Sequence, residues 1–111
     1  MPVLETDPTL ASYLADGETV AARRQEAALG RIDQATGAVA QATGTLYLTN
    51  RRLLHIGDEV FSVPLGDLLE LAMTEDRILV TLAGGGGVTL DVTDPREFRA
   101  LIAAAKNAAR G

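Results

Sequence analysis

The sharpest hydrophobic pattern lies at the C-terminal end of the chain. Phe98, Leu101, Ile102 and Ala105 recur at i, i+3, i+4 and i+7, the spacing that puts side chains on one face of a helix. Arg96, Arg99, Lys106 and Arg110 fall on the remaining face. Upstream, Asp94-Pro95-Arg96-Glu97 supplies a polar cap, a proline at the first helical position and an acid at capping-box spacing. Together these signals predict a helix from Pro95 to Ala109 whose apolar stripe, Phe98, Leu101, Ile102 and Ala105, packs into a core.

Between Gly44 and Thr93 the period drops from that of a helix to that of a strand. Val88 to Thr93 alternates apolar and polar positions, and Ile78 to Leu82 nearly does, as half-buried strands do. Thr45 to Thr49, Leu53 to Ile56, Val60 to Val63 and Leu68 to Met73 are further short apolar runs. The breaks between them carry turn residues: Asn50-Arg51, Gly57-Asp58-Glu59, Pro64-Leu65-Gly66-Asp67, Glu75-Asp76 and Gly84 to Gly87. Connections this short cannot make a parallel crossover, so an antiparallel meander is expected.

The first 43 residues carry weaker signals. Asp7-Pro8 can cap a short helix through Leu10, Tyr13 and Leu14, closed by Asp16-Gly17. From Glu18 to Leu29 the chain is Ala-rich, so propensity alone favours helix, while its apolar spacing does not choose between helix and strand. Arg31 to Thr43 holds little bulk and repeats Gln-Ala-Thr-Gly, which predicts a mobile hairpin loop.

Composition narrows the class. The chain has 111 residues, one domain's worth, with 47% hydrophobic and 23% charged side chains. No cysteine is present, which removes disulfides, thiolate metal sites and cysteine nucleophiles. The net charge of −5 argues against a nucleic-acid coat, which calls for a basic surface. Nothing in the N-terminal residues has the charged and apolar regions of a signal peptide, and no run approaches a membrane span, so a cytoplasmic location is expected. Arginine outnumbers lysine nine to one and Ala and Gly abound, a bias that points to a GC-rich, bacterial source.

Gly44-Thr45-Leu46-Tyr47-Leu48-Thr49-Asn50-Arg51-Arg52-Leu53-Leu54-His55-Ile56, followed by Val63-Pro64-Leu65-Gly66-Asp67-Leu68 and the Asp94-Pro95 helix start, resembles the GRAM and bacterial pleckstrin-homology-like domains. The resemblance spans Gly44 to Ala105. It implies a mainly β, PH-like barrel of seven antiparallel strands in two near-orthogonal sheets, one open end plugged by the C-terminal helix. It also implies that Val20 to Ala28 is the first strand, overruling its helical propensity. Residues 1–17 would then be an extension bearing the short helix Pro8 to Ala15, and 18–111 the domain proper.

Catalytic chemistry finds little support in the residues. His55 is the only histidine, so it has no histidine partner for a metal pair, and the acids do not cluster at ligand spacing. Ser12 and Ser62, the only serines, lack a nucleophile elbow. Gly84 to Gly87 precedes a strand and has no lysine nearby, so it reads as a hairpin turn and not as a phosphate loop. No enzyme, cofactor or metal is therefore expected, and His55 is expected to be a surface or hydrogen-bonded structural residue.

The leading expectation is a binding module that acts through a protein partner or self-association. Its surface would be the basic helix face, Arg96, Arg99, Lys106 and Arg110, or an open strand edge. The segment from Pro95 carries four basic residues against one acid, whereas the rest of the chain is acidic. The alternative is a peripheral, anionic-lipid binder using Arg23, Arg24, Arg31, Arg51 and Arg52 as guanidinium forks. In lipid-binding members of the superfamily, basic residues line the loop between the first two strands. Here that loop offers only Arg31, beside Asp33. A purely structural role is the competing reading for the Arg51-Arg52 pair, with one of them bonding to carbonyls or to an acid such as Asp67.

Overall fold

The computed structural model describes residues 12–32, 35–37, 39–57 and 60–110, the last by its backbone alone. Seven strands follow in order: β1 (Val20–Ile32), β2 (Val39–Thr49), β3 (Arg52–Gly57), β4 (Val60–Pro64), β5 (Leu68–Thr74), β6 (Arg77–Leu82) and β7 (Gly87–Asp91). A single 3-10 turn, Leu65–Asp67, links β4 to β5, and helix α1 (Pro95–Arg110) closes the chain. Every strand pairing is antiparallel.

The two expected sheets are joined into one, in the order β4-β3-β2-β1-β7-β6-β5, and that sheet does not close. The join is β1. Its first half pairs with β2 alone, and from Ala28 onward it pairs with β2 and β7 together. The change of partner coincides with a register irregularity between Arg24 and Ala27, where Glu26 takes a left-handed φ of 54°. Such a bulge bends a strand by inserting an unpaired residue.

The bent sheet wraps a core of Ala22, Leu29, Leu46, Leu48, Leu53, Val63, Leu68, Ile78, Val80, Val88 and Leu90. Helix α1 plugs it with Phe98 and Ile102, both wholly buried, and with Ala105 packed alongside. Leu101 departs from the expected plug: it is 36% exposed. The helix packs against the 3-10 turn, β5 and β6. Arg99 bonds to β5, and Leu101 lies about 200° around the helix from it, on the opposite flank.

The two ends of the expected loop are sheet. β1 and β2 pair out to Ile32 opposite Val39, so Arg31, Ile32 and Val39 to Thr43 are strand. Small side chains there conceal the alternation, and the ladder to β1 supplies the order. The first half of the expected helix Pro8 to Ala15 lies outside the described residues. Its last part, residues 12–15, is turn and irregular chain instead of helix.

That N-terminal segment straps the convex face of the sheet. Val20, Tyr47 and Leu54 form a second apolar layer with Leu14 and Ile56 against it. The strap is tied to the β2–β3 turn by a buried carboxylate. Glu18 accepts from Thr49 Oγ1 at 2.6 Å, Arg52 Nε at 3.0 Å, Arg52 Nη2 at 3.2 Å and the Ala15 amide at 3.0 Å. Asn50 adds bonds to Thr19 and Gly17, and Arg51 and Arg52 donate to the carbonyls of Asp16 and Tyr13. Thr49 Oγ1 also accepts from the Arg51 and Arg52 amides, fixing the turn.

Two predictions follow from this packing. A Cβ on Gly44 would sit 2.3 Å from the Ile56 carbonyl oxygen, where the backbones of β2 and β3 meet, whereas one on Gly66 would meet nothing. Gly44→Ala should therefore destabilise the fold by about 1–3 kcal/mol in denaturant melts, with Gly66→Ala near neutral. The second concerns Glu18. Burial pushes its carboxyl up, but the bonds from Thr49, Arg52 and Ala15 outweigh burial and hold it below its ordinary value of 4.5. A lowered folded-state value gives stability that is fully present above the unfolded pKa and lost as pH falls through the folded one. Glu18→Gln should cost about 1–3 kcal/mol at neutral pH. The gap to the parent protein should narrow progressively below 4.5 in melts repeated at acid pH.

Candidate functional site

The arginines proposed for an anion site do not converge. Arg24 sits at the β1 bulge and points to the start of α1. It donates to Glu97 at 2.7 Å, to the Thr93 carbonyl at 3.0 Å and to the Arg23 carbonyl at 3.0 Å, and its guanidinium lies 5.1 Å from the Phe98 ring centre. Glu97, which capping-box spacing aims at the helix start, is thus bonded to a strand arginine instead. Arg51 and Arg52 bind the strap at the opposite end of β1 from Arg31. The acid that meets Arg52 is Glu18, and the Asp67 considered from sequence is not its partner. Arg31 lies 5.6 Å from the Phe61 ring centre on the far part of β1. Arg23 is exposed. Structural bonding therefore accounts for Arg24, Arg51 and Arg52.

His55 is buried, and its Nε2–H donates to the Ala27 carbonyl at 3.0 Å. The carbonyl can only accept, which fixes the proton on Nε2. Ala27 ends the bulge of β1, so the ring braces the bend from β3. His55 also reaches a recess of about 80 Å³, bounded by Leu29, Arg31, Ala42, Val60 and Phe61 among others. Among the described residues that bound this recess there is no serine, threonine or lysine. Among the described residues, no three His, Asp or Glu side chains are grouped to hold a metal. No described helix is long and apolar enough to cross a membrane. Gly84 to Gly86 lie in the β6–β7 turn, with Gly85 and Gly86 at φ of 95° and 72°, and Gly87 begins β7.

The basic helix face divides in two. Arg99 Nε donates to the Leu71 carbonyl at 2.8 Å, and Lys106 Nζ approaches the Leu69 carbonyl at 3.4 Å. Both carbonyls belong to β5, the last strand of the sheet on that side. These cations cover an edge that would otherwise offer unpaired acceptors to another chain. Arg96 is exposed and borders a groove with Met73 and Arg99. The side chain of Arg110 lies outside the described residues.

The other edge differs. β4 pairs only with β3 and ends the sheet. Among the described residues no side chain is bonded to its outer backbone. Its sequence, Val60-Phe61-Ser62-Val63-Pro64, carries no charge, and Val60 is 47% exposed. Neither the sealed edge nor the open one was singled out from sequence by residue. The uncharged run ending in proline was the available signal for the open one, since proline is confined to sheet edges and strand ends.

No family model and no curated protein matches the sequence. Solved structures do match the fold. The C-terminal domain of an unknown protein from Leishmania infantum superposes with a TM-score of 0.61 at 15% identity, over 82% of this chain and 86% of that one. Dcp1p, of the EVH1/PH-like class, superposes with a TM-score of 0.59 at 10% identity, over 79% of this chain and 84% of the other. At such identities the likeness concerns architecture, and it agrees with the strand order and terminal plug: the chain has a PH-like fold.

Proposed function

We propose that this chain is a non-catalytic, cytoplasmic PH-like module that binds protein, with the outer edge of β4 as its contact. The observation that carries the reading is the contrast between the two sheet edges: β5 is bonded by Arg99 and Lys106, whereas β4 is uncharged and, among the described residues, no side chain bonds its outer backbone. An unpaired strand edge recognises another extended segment through main-chain bonds, and neighbouring recesses then select its side chains. The recess beside Phe61 and Val60 lies next to this edge. Membership of the GRAM type belongs to the same proposal. It is supported by the structural work of the motif residues: Gly44 at the close backbone approach, Thr49 in the turn and Arg52 on Glu18.

The lipid reading is weaker because Arg24, Arg51 and Arg52 are bonded within the fold and the five arginines lie along different parts of the sheet. A photo-crosslinking side chain placed at Ser62 should give covalent adducts to protein in the native host, and the chain should remain in the supernatant with anionic vesicles. Absence of adducts, together with sedimentation that is lost on Arg23→Glu or Arg31→Glu, would replace the protein reading with the lipid one.

A further inference from the structure

We propose that the β2–β3 turn and the apolar layer beside it form a receptor for an acidic protein segment, which the chain's own residues 12–19 occupy as an autoinhibitory strap. The β4 edge plays no part in this inference. Residues 12–19 hold neither helix nor strand. They lie over Val20, Tyr47 and Leu54, a cluster separate from the main core, and several of their bonds to the turn are exposed. A segment with few apolar contacts and solvent-exposed bonds belongs to the part of a fold that opens before the rest.

The strap shows which chemistry the receptor takes. Three of its bonds go to main-chain carbonyls: Arg52 Nη2 donates to Tyr13, Arg51 Nη2 to Asp16 at 3.0 Å and Asn50 Nδ2 to Gly17 at 3.1 Å. Any segment on the same path offers those carbonyls, whatever its side chains. Three residues add selectivity. Leu14 packs against the apolar layer. Gly17 has a φ of 80°, and a Cβ there would lie 3.3 Å from Arg51 Nη2, so glycine suits the position. Glu18 enters a socket of Thr49 Oγ1 and the Arg52 fork, where its side chain is 1% exposed. Hydroxyl and guanidinium both donate to it, which selects an ionised carboxylate. The partner is thus a segment with an apolar residue, a glycine three positions on and a glutamate directly after it.

Thr19 is the hinge. Its amide and carbonyl are bonded to Asn50, and the chain runs on from it into β1, so the strap can swing out with the sheet still paired. Covalent attachment gives the strap an effective concentration of about a millimolar, which a free segment must overcome. Its apparent affinity falls by the fraction of molecules whose strap is open.

A labelled peptide of residues 12–18, capped at both ends and titrated into the full chain by fluorescence anisotropy, tests this. Glu18→Ala disables the strap and keeps the receptor, so that variant should bind the peptide about tenfold tighter, or more, than the parent does. Glu18→Gln within the peptide, or Arg52→Ala added to the variant chain, should each undo that gain. In the parent, the Ala15 and Glu18 amides, bonded within the strap, should exchange with solvent at least about tenfold faster than those of β2. Should Glu18→Ala fail to melt cooperatively, Leu14→Ala removes the apolar anchor, keeps every polar group and should show the same preferences. Peptide binding that is absent from the folded variant, or indifferent to the peptide's glutamate, overturns the proposal. So do strap amides that exchange only together with those of β2. Adducts from position 62 bear on the β4 edge alone, so the two readings can fail separately.

Discussion

The bend of β1 is the constraint on which the architecture depends. One strand must lie beside β2 along its length and beside β7 over its second half, and a straight strand cannot follow both as the sheet curves. The irregularity between Arg24 and Ala27 provides the turn of direction, at the cost of a glutamate in a left-handed conformation at Glu26. Strain of that kind persists when its surroundings over-determine it. Here His55 bonds the Ala27 carbonyl from one side, and Arg24 bonds the helix start from the other. The lone histidine and Arg24 both serve the bend.

A second constraint is the management of edges. The sheet does not close, so it has an end at β4 and another at β5. The helix that fills the core with Phe98 and Ile102 also lies along β5 and presents Arg99 and Lys106 to its carbonyls. A single amphipathic element thus supplies core volume on one face and edge bonding on its flank. Nothing equivalent among the described residues covers β4. The functional reading of the molecule follows from that imbalance more than from any cavity.

Much of the fold was legible in the chain because alternation survives wherever one face is buried. Thr45 to Thr49, Ile78 to Leu82 and Val88 to Asp91 became strands for that reason, and the helix began at Pro95 as its cap signals required. The outer half of the β1–β2 hairpin was illegible because Val39 to Thr43 is mostly exposed on both faces, so no apolar period marks it. Leu101 shared the helical spacing of its neighbours, but spacing does not say how wide a stripe the sheet will cover. The site was less legible still. Sequence could group Arg96, Arg99, Lys106 and Arg110 on one face, yet it could not say that a strand edge would lie against two of them. Glu18 gave no signal of its own, because the partners that make it matter, Thr49 and Arg52, are distant in sequence.

Arg24 links the strand bend to the helix by bonding Thr93 and Glu97 while covering the Phe98 ring. Undocking the helix would therefore free the guanidinium at the bulge, and straightening the bulge would withdraw it from the helix start. The two regions thus belong to one cooperative unit. In folding terms, a residue near the beginning of the chain cannot complete its contacts until the last element has been made.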